Sequence, residues 1–269
     1  MKRKLILIIL LLAGVSLTYT ACKKSSSKPT VSAKTVSSQI ALNLAQTLYG
    51  GLGGFDISTG LSSTASVNIK QLAIKRQQLA LKLNGGRQIN DLSGDITCGA
   101  SADTTLNYST TLDDGSSATI SGTIGFTFLC TNNVASGFNI HDDLTIGAKN
   151  ATLTASYKLN ENLTAQVVDV TNVNSSYTLG GTFSMSDNIS YVNPKSTTTE
   201  AYSYNFTTPL LIDSSGNIDS GAATFSTNGT NASGTWNYSG TVVFEPNFLV
   251  KITINGTTYN VNLQTGVVS

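Results

Sequence analysis

Three cysteines, one histidine and a thin scatter of carboxylates carry most of the chemistry this 269-residue chain could perform. Cys22, Cys98 and Cys130 are an odd set, so one thiol is left over if the other two pair. His141 is the only histidine. That removes His-rich metal sites and makes a Ser-His-Asp triad depend on it alone. It stands in Asn139-Ile140-His141-Asp142-Asp143, and in a regular strand His141 and Asp143 point outward while Asp142 points inward. A cation site would need Asp142 or Asp143 to converge with Asp113 or Asp114. Glycosidase chemistry needs two facing carboxyls. The only glutamates, Glu161, Glu200 and Glu245, fall in or near expected turns and strand ends. No nucleophile elbow, HExxH, phosphate loop, CxxC or EF-hand pattern is present. No catalytic residue, metal ligand or cofactor site is therefore assigned.

The elements that would position these residues begin with a targeting segment. Lys2-Arg3-Lys4 precedes an uncharged apolar run from Leu5 to Leu17, and Leu17-Thr18-Tyr19-Thr20-Ala21-Cys22 ends on the first cysteine. This is the layout of a secretory signal peptide, residues 1–21, and the run is too short for a comfortable membrane span. The Ser- and Lys-rich stretch that follows reads as a flexible tether over residues 22–35.

Residues 36–90 read as a helical arm. Val36, Ile40, Leu44 and Leu48 form one stripe of a first helix, stopped by Gly50-Gly51. Ser66 to Leu83 is a second, with Asn84-Gly85-Gly86 as its C-terminal stop. Between Cys22 and Arg87 there are nine Lys or Arg and one acid, Asp56; from Gln88 onward there are four basic and fourteen acidic residues. A basic arm thus joins an acidic body, which makes nucleic acid a poor partner.

From residue 91 the apolar period falls to two and stays there to residue 269. Ile120, Ile124, Phe126 and Phe128 alternate with Thr119, Ser121, Thr123 and Thr127, and similar runs recur to the C-terminus. About eleven short-looped strands are expected, an antiparallel meander forming a barrel or strongly curled sheet, with a β-sandwich as the alternative. Asn160-Glu161-Asn162 reads as one of the turns, and Pro209 marks an edge or a bulge. Asn255-Gly256 sets a tight hairpin with Ile254 opposite Thr257.

The turn at Asp113-Asp114-Gly115 fixes the register of the first hairpin. A three-residue loop with Gly115 left-handed puts Leu112 opposite Ser116. Continued along the ladder, that register brings Cys98 opposite Cys130 at a spacing a disulfide bridges. Cys22 is then the thiol left over.

The apolar run ending at Cys22 resembles the lipobox of bacterial lipoproteins, in which the cysteine is acylated and becomes the new N-terminus. With its Ser/Lys tether and Thr/Asn-rich β domain, the chain resembles uncharacterised lipoproteins of the Bacteroidota; the motif-level likeness is confined to the N-terminal region. The resemblance implies a lipid on Cys22 and an outer-membrane anchor. Lys23-Lys24 stand where an acidic cluster marks surface export in that group, which implies a periplasm-facing anchor. The expected role is a non-enzymatic envelope protein whose β domain binds a protein partner or a small apolar ligand. A structural or adhesin-like accessory role and a hydrolase with an unrecognised carboxylate site are the alternatives. The cysteine assignment is checked by alkylation: Cys98 and Cys130 should resist labelling in denatured, unreduced protein and become labelled after reduction.

Overall fold

A computed structural model describes residues 29–49, 98–99, 101–111, 113–172, 175–193 and 195–269. Among the described residues one helix, α1 (Ala33–Tyr49), precedes ten strands: β1 (Ser101–Thr111), β2 (Ser117–Thr131), β3 (Val134–Lys149), β4 (Leu153–Val167), β5 (Tyr177–Tyr191), β6 (Ser196–Ile212), β7 (Ile218–Asn231), β8 (Gly234–Glu245), β9 (Leu249–Ile254) and β10 (Thr257–Asn262). They form a single antiparallel meander in sequence order, and β1 and β10 are not paired with each other. The sheet is not a closed barrel.

Alternation sets the two faces. Along β4, Leu153, Ala155, Leu159, Glu161, Leu163 and Ala165 are buried while the residues between them are exposed. One apolar core runs from Leu106 on β1 to Leu263 beyond β10 and includes Val36, Ile40 and Leu44 of α1. A sheet whose two ends and helix share one core must curl around that helix.

Ser32 starts α1: its hydroxyl accepts from the Thr35 amide at 3.2 Å and its carbonyl from the Val36 amide at 3.0 Å, satisfying donors at the first turn. Val36, Ile40, Ala41 and Leu44 are fully buried. Buried Asn43 is held by the Tyr204 hydroxyl, which donates to its Oδ1 at 3.0 Å. Ser38 donates to the Gly266 carbonyl at 2.6 Å. Just before the helix, Thr30 bridges Thr235 in parallel, through Val31 N–H to Thr235 O and Thr235 N–H to Pro29 O, both 2.9 Å. Residues 29–35, expected to be flexible tether, therefore belong to the folded body. The expected second helix, Ser66 to Leu83, lies outside the described residues.

Among the described residues the strands number ten rather than eleven because the expected turn at Asn160-Glu161-Asn162 is not one. β4 passes straight through it, with Asn160, Glu161 and Asn162 paired to Asp143, Asp142 and His141 of β3. Leu159, Glu161 and Leu163 keep one parity, so a carboxylate simply occupies an inner position. At Pro209 the bulge is present: Leu179 faces Leu210 and Gly181 faces Phe206, so β6 carries two extra residues there. An even insertion preserves the facing, and Leu210 stays buried. β6 is not an edge strand.

Both hairpin registers are as expected. Ser101 faces Thr127 and Thr111 faces Ser117, with Gly115 left-handed at φ 80°. Ile254 faces Thr257, and Val250 faces Val261. Cys98 and Cys130 are disulfide-bonded, their Cα atoms 5.6 Å apart. Val242, Val250, Ile252 and Ile254 are wholly buried beneath the helix side of the curl. Ile252→Ala should destabilise by about 2–5 kcal/mol, measured as a lowered denaturation midpoint with an unchanged m-value.

Candidate functional site

Four carboxylates project from inner strand positions. Asp142 and Glu161 are in-register partners across β3 and β4 and are 0% and 1% exposed. Asp187 and Glu200 are in-register partners across β5 and β6, and both are half-buried. Tyr157 of β4 lies opposite Asp187 on the same face.

The Asp187–Glu200 pair is held by two hydrogen bonds. The Glu200 backbone N–H donates to Asp187 Oδ1 at 3.1 Å, and the Tyr202 hydroxyl donates to Glu200 Oε2 at 2.9 Å. The pair lies where two apolar clusters meet. The main core holds Leu159, Met185 and Tyr202, while Ala148, Leu153, Ala155 and Ile189 form a second cluster with Tyr157 and Tyr191 packed on it. Along β5 the order is Met185, Asp187, Ile189, so the acid separates the clusters.

Burial, reinforced by the neighbouring Glu200 charge, pushes the Asp187 carboxyl up to about 7, against the pull of the Glu200 amide. Burial raises Glu200 as well, opposed by the hydrogen bond from Tyr202. The Tyr157 and Tyr202 phenols are raised chiefly by burial and stay protonated. Two adjacent carboxyls in a poorly hydrated site cannot both ionise cheaply. The unit can therefore retain a proton near neutral pH, surrounded by phenol donors.

Of the residues expected to do chemistry, Cys22 lies outside the described residues. Cys98 and Cys130 are a structural bridge at the edge of the sheet, away from any described acid–base pair. His141 and Asp143 are exposed and Asp142 is buried, as strand alternation requires. Asp113 and Asp114 are not brought to Asp142. They sit in the β1–β2 turn, beside the Ser117–Lys149 end of the β2–β3 ladder, and seven residues of β3 put Asp142 roughly 20 Å away. Asp114 is already engaged by the Ser116 amide at 2.9 Å, which holds its carboxyl below the usual range. Glu245 pairs with Lys251. Among the described residues no group of three or more His, Cys, Asp or Glu is arranged to hold a metal ion.

Asp187 escapes a motif search, but its signal is in the parity. It continues Phe183 and Met185 on odd positions, just as Glu200 continues Tyr202 and Tyr204 on even ones. Comparison with protein-family models, curated proteins and solved structures found no match to the chain.

The raised carboxyl sets a direction for stability. A carboxyl that burial pushes from 3.8, its value when exposed in the unfolded chain, up to about 7 in the folded one binds more protons folded than unfolded between those values. Stability then falls as pH rises through that window and is flat above it. Glu200 adds in the same direction. Asp187→Asn, which keeps an oxygen for the Glu200 amide, should reduce the fall between pH 4.5 and 7.5 and raise the melting midpoint at pH 8 by about 2 °C or more. Circular dichroism melts across pH check this; an unaltered slope would remove the assignment.

Proposed function

We propose that the chain is a lipid-anchored protein of the cell envelope, without catalytic activity, that holds its partner on the outer face of its β domain. The observation that carries this reading is the division of labour between the two faces of the sheet. The inner face is occupied by its own side chains and by α1, from Leu106 through Phe183 and Tyr204 to Val261. The outer face of β5 to β8 instead presents Thr182, Asn188, Ser203, Asn205, Thr224, Ser226, Asn237 and Thr241, all exposed and none charged. A filled interior favours an outer-face partner over a small apolar ligand taken inside.

The carboxylate pair gives the hydrolase alternative less support than its burial first implies. Glycosidase carboxyls stand about 5 Å or more apart to admit a sugar or a water between them. Asp187 and Glu200 are adjacent strand partners already engaged by the fold, Asp187 by the Glu200 amide at 3.1 Å and Glu200 by the Tyr202 hydroxyl at 2.9 Å. Fourteen acids against four basic residues from Gln88 onward also disfavour a nucleic-acid partner.

The anchor in this reading is a lipid on Cys22, at the outer membrane and facing the periplasm because Lys23-Lys24 follow it. Radiolabelled palmitate should enter the wild-type chain and be lost in Cys22→Ser, with the protein moving from the membrane fraction to the soluble one. A mature wild-type chain carrying a free Cys22 thiol would overturn the anchor.

A further inference from the structure

A cleft of about 510 Å³ opens where the ends of β6, β7 and β8 meet the segment before α1. Its lining is Thr30, Thr199, Asn228, Gly229, Thr230, Thr235, Trp236 and Asn237. The order within that lining is set by strand pairing. Thr199 faces Thr230, Thr230 faces Thr235, and Thr235 bridges Thr30. Four threonines therefore run in register across four neighbouring chain segments. Two pairs along, past Gly229 and Trp236, Asn228 faces Asn237, and both are exposed. All six belong to the outward parity of their strands, opposite buried Val31, Thr227 and Trp236.

The floor is rigid. Trp236 donates its indole N–H to Thr227 Oγ1 at 3.1 Å, and its ring occupies the space beside Gly229, where an added Cβ would lie 2.2 Å from it. Pro29 closes against Gly234 in the same way, at 1.9 Å from a notional Cβ. Glycine at both points lets the tryptophan and the incoming segment seat closely.

The lining decides the chemistry of an occupant. It contains no Lys, Arg or His, so an anion finds no counter-charge. It contains no carboxylate, so a cation finds none either. Hydroxyls and amides dominate it, which would leave an apolar ligand facing polar groups. An extended peptide would need free main-chain donors and acceptors, but β6, β7 and β8 spend theirs on one another here. What remains is a neutral molecule dense in hydroxyls. The threonine row spans three strand spacings, about 14 Å, long enough for several sugar rings and laid crosswise to the strands. The Asn pair adds amide donors and acceptors alongside it.

We propose that this cleft binds a neutral oligosaccharide laid across the strands, with the Thr30–Thr235–Thr230–Thr199 row and the Asn228–Asn237 pair as its hydrogen-bonding surface. It rests on the outer-face reading above and names the class of partner. Binding is read by calorimetry, with the fluorescence of Trp236, the only tryptophan in the chain and buried on the opposite face beneath the row, as a second signal. The detergent-solubilised full-length protein is titrated with cellohexaose, maltohexaose, xylohexaose and chitohexaose, and with hexagalacturonate and a neutral extended peptide as contrasts. Saturable binding of at least one neutral hexasaccharide is expected, weakened tenfold or more in the Asn228→Ala/Asn237→Ala double variant with its melting midpoint unchanged. No saturable binding of any neutral sugar by either method, equal affinity in the double variant, or binding of the peptide alone would overturn the proposal. Those failures would leave the outer-face reading standing. Stoichiometric capture of an apolar probe such as 1-aminoanthracene by the folded protein would instead overturn that reading.

Discussion

A single sheet with one apolar face, the only sheet among the described residues, has to take that face out of water by its own curvature. Everything else in this protein follows from how that is done. The ten strands curl until Leu106 near one edge and Leu263 beyond the other belong to one core, and α1 fills the space between. Each fully buried aliphatic side chain contributes about 1.5–3 kcal/mol, so the stripe of Val36, Ile40 and Leu44 gives the helix strong reason to stay. The buried Asn43–Tyr204 hydrogen bond then fixes its angle, since a slipped helix would strand two polar groups in the core.

The facing of side chains was largely legible because it depends on local parity alone. Ile254 opposite Thr257 follows from Asn255-Gly256, and the register of the first hairpin follows from Gly115. Glu161 shows where such reasoning fails. Flanked by two asparagines it has turn composition, yet Leu159 and Leu163 around it never change face. Composition was the weaker signal and parity the stronger. Pro209 was legible as a bulge, but the two extra residues that it introduces, and their harmlessness to the facing of Leu210, depend on pairing with β5. The docking of Pro29–Val31 on β8 was not legible at all, because a long-range parallel bridge leaves no periodic trace.

The carboxylates were half legible for the same reason. Parity alone puts Asp187 and Glu200 on the inner face. That they are partners, and that two apolar clusters meet around them, depends on register across β5 and β6, which no residue near either acid encodes. The four-threonine row has the same origin. Each threonine is ordinary in a chain rich in Thr, Ser and Asn, and only strand alignment turns them into a row.

The short segment Pro29–Val31 has a mechanical consequence. It is held by two main-chain hydrogen bonds to Thr235 and by the Tyr238 hydroxyl donating to the Val31 carbonyl at 2.8 Å. Among the described residues it is the first part of the body to meet a pull arriving from the N-terminal side. Those bonds would take the load before the cap at Ser32 and the helix behind it. Under such a pull the segment would act as strain relief, its bonds loaded before the packing of the core.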